Sequence, residues 1–417
     1  MKETADLVVV GAGAAGLATA IFAKEEAPLL SVVLLEGAKK VGAKILISGG
    51  GRCNVTHQVV EPSDFQGNQP IIKGLLRGFS EEDAVAWFSS MGVELKEEDT
   101  GKLFPVSNSA KTVVAALLAR CDELGVDIRT SHKVSAVKSE EGSWTIEHTE
   151  GAFHARRVVI ATGGLALPKS GSEGFGLEFA KSMGHEVTEL WPALVPLILE
   201  EPFPHAKLSG IAHEVELSTR VSGKVIDKRS GALLWTHFGI SGPVAMDASR
   251  FWVGARLEHK DAGLFACILP GETRESVNEL FLDIARDEPK RTIGSLLARS
   301  LPRRVVEVCL EMAGIDGNPP LNQLKKATRR DLTRILTELE LPVSGDRGWS
   351  YAEVTAGGVP LSEIDRRNME SRAHPGLHFV GEVLDCEGRI GGFNFQWAWS
   401  TGHQAGRAIA RALSASA

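Results

Sequence analysis

Gly11, Gly13 and Gly16 stand in the order G-x-G-x-x-G, and Glu36 follows 20 residues past the third glycine. These types at this spacing suit a dinucleotide. The first glycine lets the chain turn, the second leaves room for a pyrophosphate, and the third lets helix and strand pack closely. A helix opening at Ala14 and Ala15 would offer backbone N–H groups and a partial positive charge to the phosphates. The Glu36 carboxylate can accept both ribose hydroxyls and would repel a 2′-phosphate, which leaves FAD or NAD rather than NADP.

Three further stretches carry chemistry. In Ser48–Asn54, SGGGRCN, three glycines allow backbone to approach a ligand, Arg52 can pair with a phosphate or carboxylate, and Asn54 can donate to a ring atom; the alternative is a surface Ω-loop. Cys53 beside a flavin suggests thiol redox work, yet no cysteine stands at CxxC or CxxxxC spacing from it, so packing or flavin contact is the stronger expectation. Ala161, Thr162 and Gly163 end a strand in VVIATGG, and Gly381, Glu382 and Asp385 end a late strand ahead of a second glycine entrance, Gly391–Gly392. A chain that returns to its first domain this late suits a long, extended ligand. FAD bound so would meet the last helix with its flavin end, where N–H groups from Gly392 through Phe393 to Asn394 stabilise negative charge on the reduced ring. A side chain at Gly392 is then expected to intrude on the ring, whereas Gly406 serves packing; the plainer alternative is a glycine pair that only starts a packed helix. In LWTHFGISGP, Ser241 is expected to N-cap a helix with Pro243 in its first turn, and Thr236 and His237 are candidates to face a substrate. His374 and His378 stand four apart but are separated by Pro375 and Gly376, which predicts a turn into a strand rather than a metal site.

Composition limits the partners. The 417 residues carry a formal charge of −7 with 24% charged residues and 43% hydrophobic ones, ordinary for a globular protein of two or three domains. No basic stripe stands out, so neither nucleic acid nor an anionic membrane is expected as a partner. Five scattered cysteines without a CxxC point to reduced thiols and a cytoplasmic setting. The apolar run Ala5–Ala23 contains Asp6 and three glycines, which argues against a signal peptide or membrane helix.

The elements that must position these residues follow from patterning. Asp6–Val10, Ala14–Lys24 and Ser31–Leu35 read as a βαβ unit. Ser80 with Asp83 forms a capping box for a helix to Met91, and Gly125 ends another helix that begins at Ala110. From Val126 to Val159 an antiparallel meander leads back into a buried strand. Prolines 192, 196, 202 and 204 mark a domain crossing. The predicted fold is α/β: a Rossmann-like FAD-binding domain from residues 1–190 and 345–417, interrupted by a β-rich subdomain at 191–270 and a helical subdomain at 271–344. The terminal SASA tail is expected to fray.

GAGAAGLATA, VGAKILISGGGRCNVTH, ATGG, LLWTHFGISGP, VTAGGV and GEVLDCEGRIGGFNFQWAWSTG together resemble the BaiN-like, aminoacetone-oxidase-like FAD-dependent flavoproteins, from Asp6 to Gly402. The resemblance implies non-covalent FAD, with a β-barrel-like subdomain and a helical subdomain inserted into the flavin domain, and fixes no substrate. The leading reading is an FAD-dependent oxidoreductase acting on an unidentified small metabolite by hydride transfer, in which NAD(P)H, if used as donor, enters transiently over the flavin. Lys44 and Val134 complete the residues assigned to the cofactor. One departure is Arg389-Ile390 before the glycine pair, where many relatives carry an aromatic residue first. Two other readings stay open: an NAD-dependent dehydrogenase, and a flavin-bound interaction or RNA-associated protein without small-metabolite turnover.

Overall fold

In the computed structural model the described residues are 3–98, 100–140 and 142–415; Ser416 and Ala417 of the expected frayed tail lie outside them. The chain forms two units, Met1–Trp191 with Val354–Ala417, and Pro192–Glu353.

The first unit is built on a parallel sheet. Its central strand β1 (Glu3–Val10) leads through α1 (Ala14–Glu26) to β2 (Val32–Leu35), and α2 (Ala43–Gly51) follows. The strands β3 (Asp127–Arg129), β4 (Val134–Glu140), β5 (Ser143–His148) and β6 (Gly151–Ile160) come next. Across the sheet the parallel order is Leu377–Phe379, β6, β1, β2, β3, with Val8 opposite both Val158 and Val33. Both faces of the sheet's centre are covered, so Leu7–Val10, β2 and Val158–Ile160 are runs of Val, Ile and Leu with no polar alternation; Leu7, Val8, Val9, Val158, Val159 and Ile160 are fully buried. The antiparallel β4–β5–β6 meander enters the sheet as expected. So does the capping box, in which the Asp83 N–H donates to Ser80 Oγ (3.2 Å) and the Ser80 N–H to Asp83 Oδ2 (2.8 Å).

The last helix, Phe393–Ser414, lies on α1 at a distance only glycine permits. A Cβ at Gly402 would stand 2.8 Å from Ala15 O, and one at Gly406 2.5 Å from Thr19 O. Two fully buried tryptophans fix where this helix starts: Trp397 Nε1 donates to Gly381 O (3.1 Å) and Trp399 Nε1 to Val55 O (2.9 Å).

In the second unit, seven strands form one antiparallel sheet in the order Leu339–Leu341, Ala262–Cys267, Ala212–Val221, Lys224–Trp235, Gly239–Ser241, Leu197–Leu199, Val343–Asp346. Only Pro342 separates its two edge strands in sequence, so the sheet curls toward closure. The helices Arg274–Asp287, Arg303–Met312 and Lys326–Thr337 precede those edge strands. The boundaries expected from sequence shift accordingly. The segment 271–344 shares one unit with the sheet because its last strand pairs with Ala262–Cys267. The return to the first unit moves from residue 345 to Val354, since Val343–Asp346 pairs with Leu197–Leu199. Ser241 ends a strand, and the cap of helix Pro243–Leu257 is Gly242, with no side-chain hydrogen bond. Among the described residues no helix is long and apolar enough to cross a membrane.

Candidate functional site

Glu36 sits just past the end of β2, beside the turn that leaves β1. Its Oε2 accepts the Ala12 N–H (3.0 Å) and its Oε1 the Ala38 N–H (2.8 Å), so the carboxylate is held at the mouth of the glycine turn. A Cβ at Gly16 would stand 1.9 Å from Gly11 O, and one at Gly11 2.6 Å from Ala161 O; α1 therefore starts tight against the ends of β1 and β6. Gly13 differs. Its backbone is extended (φ −83°) and no heavy atom lies within 4 Å of where a Cβ would point. The first turn of α1, with Ala14 and Ala15, contains neither an acidic residue nor a side-chain cap. Its N–H groups are left for an anion.

The walls come from distant parts of the chain. Gly171 approaches Glu36 Oε1 to 3.9 Å of a Cβ position, and Ser172 Oγ lies 2.9 Å from that of Gly163. Thr162 turns its buried, unpartnered Oγ1 toward Gly176. Val134 is buried, next to Lys133, which packs on Gly37 just after Glu36. Lys44 Nζ pairs with Glu382 Oε2 at 2.5 Å, while Glu382 Oε1 accepts the Thr355 N–H (2.9 Å). Thr355 Oγ1 in turn accepts the N–H groups of Leu165 (2.7 Å) and Ala166 (3.1 Å). Gly381 touches Ala15 of α1. Burial raises the Asp385 carboxyl above its usual range. Thr355, Gly171 and Ser172 escaped the sequence reading; the only signals were VTAGGV and the glycine density of KSGSEGFG.

At the other end, α2 breaks at Ser48, and Gly49, Gly50 and Gly51 turn the chain into the 52–57 segment. Cys53 is fully buried, and burial pushes its thiol up to about 12, so it keeps its proton at neutral pH. Arg52 is engaged by Glu98 at 2.5 Å and lies 4.1 Å over the Phe104 ring. Asn54 Oδ1 is buried without a hydrogen-bond partner. Thr56 Oγ1 donates to Gln396 Oε1 (2.7 Å), linking this segment to the start of the last helix. There the first helical bond runs from the Gln396 N–H to Gly392 O (2.9 Å), so the N–H groups of Phe393, Asn394 and Phe395 precede the ladder. The Asn394 side chain is occupied: Oδ1 accepts the Gly388 N–H (2.8 Å) and Nδ2 donates to Gly388 O (2.9 Å). Gly391 packs on Phe393, and a Cβ at Gly392 would strike Thr56 O at 2.6 Å, so the obstacle there is the chain itself. The departure at Arg389 has a local role, since its Nε pairs with Asp64 Oδ1 (2.6 Å) and its guanidinium covers the Phe393 ring at 4.5 Å.

Thr236 and His237 belong to the second unit, in the turn before Gly239–Ser241. Thr236 Oγ1 accepts the Gly239 N–H (3.1 Å), and the His237 ring meets Phe238 edge-on at 5.2 Å. In the first unit, the reserved space at Gly13, the carboxylate of Glu36, the unpartnered Asn54 oxygen and two helix starts fit FAD laid along the sheet ends.

The family model of the HI0933-like protein Rossmann domain matches residues 5–408. The chain is 33% identical over 403 residues to a 3-dehydro-bile acid delta(4,6)-reductase of Clostridium scindens, covering 96% of this chain and 98% of that one. It is 35% identical over 405 residues to a ribosomal RNA dihydrouridine synthase of Escherichia coli, covering 96% of each. Among solved structures, a 3-ketosteroid-delta4-(5alpha)-dehydrogenase of Rhodococcus jostii superposes with a TM-score of 0.52 at 17% identity, over 98% of this chain and 97% of that one, which shows a shared fold.

Proposed function

Because this chain belongs to the HI0933-like Rossmann-domain family, an FAD-dependent oxidoreductase of the α/β class, we propose that it reduces a carbon–carbon double bond conjugated with a carbonyl group. The names of the two relatives share that acceptor chemistry: a 3-oxo steroid with double bonds at positions 4 and 6, and a uracil ring whose 5,6 double bond becomes saturated. The shared acceptor group, not either molecule, is what this reading takes over. Bound FAD, once reduced by a hydride from NAD(P)H arriving transiently, would supply the hydride to the double bond; no second G-x-G-x-x-G is present to hold a resident nicotinamide.

The observation that carries the reading is the start of the last helix. Three N–H groups ahead of the hydrogen-bond ladder, held there by Trp397 and Trp399, favour a cofactor that gains negative charge on reduction. Lys44 and Glu382 tie the turn before this helix to α2, and Cys53 contributes bulk rather than a thiolate nucleophile.

The test is anaerobic. The yellow protein should be bleached by NADH or NADPH and recover its colour with a conjugated enone, but not with the corresponding saturated ketone. A colourless protein, or flavin reduced by amines and untouched by enones, would overturn the proposal.

A further inference from the structure

The net charge of −7 hides a local reversal: residues 289–335 hold ten Lys and Arg against four Asp and Glu. Much of that excess lies on the helix Lys326–Thr337. Its inner side, Leu332, Thr333, Ile335 and Leu336, is buried in the second unit. Its outer side carries Lys326, Arg330 and Arg334, all exposed, at four-residue intervals that place successive cations about 6 Å apart along the axis. Lys325 stands exposed at the N-cap.

These cations are not balanced from within. Among the described residues, no carboxylate pairs with Lys325, Lys326 or Arg334, and Arg330 meets only Asp331, at 3.9 Å, with four-fifths of its side chain exposed. Elsewhere arginines are held by carboxylates: half-buried Arg129 by Glu3 and Asp127, exposed Arg367 by Asp365, and exposed Arg411 by Glu26. The first turn of Lys326–Thr337 also lacks any acidic residue, so Lys325 and Lys326 oppose the helix dipole, and the i,i+4 cations repel one another. The arrangement weakens the helix and returns nothing to the fold. An anion with regularly spaced charges would relieve both conflicts.

We infer that this face binds the phosphate backbone of RNA, which rests on the reading above in that a uracil ring within RNA is one of the conjugated acceptors. A membrane surface fits less well, because the apolar side of the helix is buried inside the unit and the basic side carries no exposed large apolar residue. Backbone contacts of this kind hold and orient a strand without reading its sequence.

The experiment uses the full-length holoenzyme and a short fluorescein-labelled, uridine-rich single-stranded RNA, followed by anisotropy across a salt series. The triple variant K326E/R330E/R334E should bind roughly tenfold or more weakly, with a log–log salt slope shallower by about 2, from three lost contacts at about 0.7 each. Its FAD content, melting temperature and NAD(P)H-driven reduction of a small enone should match the parent. The variant K73E/R77E/K111E changes net charge equally on exposed residues of the first unit and should keep RNA affinity within the ordinary effect of net charge. Equal losses in the two variants, no loss in the first, or tighter binding of phosphatidylglycerol vesicles than of RNA would overturn the inference. Failure of the parent to reduce any enone would instead sink the catalytic reading and leave the RNA measurement standing on its own.

Discussion

The two glycine entrances look alike in sequence and differ in what the missing side chains make room for. At α1, Gly11 and Gly16 are demanded by the chain, but Gly13 has an extended backbone and nothing within 4 Å of its Cβ direction. At the last helix, Gly392 has φ 94° and a Cβ there would meet Thr56 O at 2.6 Å, while Gly391 abuts Phe393. The first entrance leaves open space, which we propose a ligand fills. The second spends its glycines on a chain crossing and offers a ligand only its N–H groups. A glycine before a helix is therefore evidence for a binding site only where its absent Cβ faces something other than protein.

The largest effect should come from Gly392→Val. It places a branched side chain against Thr56 in a left-handed backbone conformation, so the protein should lose several degrees of melting temperature even without FAD, or fail to fold. A variant whose apoprotein melts normally would show that the second entrance resembles the first.

Next in size is Glu36→Ala. FAD should bind more weakly by roughly 1–3 kcal/mol, the usual loss of charge-assisted hydrogen bonds, as read by titration of the apoprotein. Unchanged affinity would detach β2 from the ribose.

How much of this was legible depends on sequence distance. The β1–α1–β2 unit and the position of Glu36 follow from local spacing, and the Ser80–Asp83 box from four consecutive residues. Thr355, which knots the Leu165 turn to Glu382, reaches the site only because the chain returns after the second unit, and VTAGGV marks its place without marking its partners. The four-residue strand Val343–Asp346 has too little alternation to reveal its pairing with Leu197–Leu199, so the domain boundary was set nine residues early. Arg52 was legible as a cation but not in its aim, since Glu98 and Phe104 lie beyond the motif. The spacing of Gly402 and Gly406 is plain in the sequence, whereas the partner they approach, α1, is a matter of topology.

The smallest effect concerns the clamp between the helices behind the two entrances. Hydrogen bonds from Arg411 and then Arg407 lower the Glu26 carboxyl from its ordinary 4.5 to about 2. Its pKa is lower in the folded state, so the stabilisation is complete above pH 4.5 and is lost as pH falls toward 2. Both arginines are well exposed, so the contribution should stay below about 1 kcal/mol. In acid-melting curves, Glu26→Gln should match the parent at low pH and fall slightly behind it at neutral pH. A gap that persists at pH 2 would assign the clamp to packing.

The central claim is that Gly13 is kept small for a ligand and not for the fold, and FAD titration of the Gly13→Val apoprotein tests it most directly. The account predicts a folded protein with the parent's melting temperature that no longer takes up FAD stoichiometrically. Parental FAD affinity in that variant would contradict it.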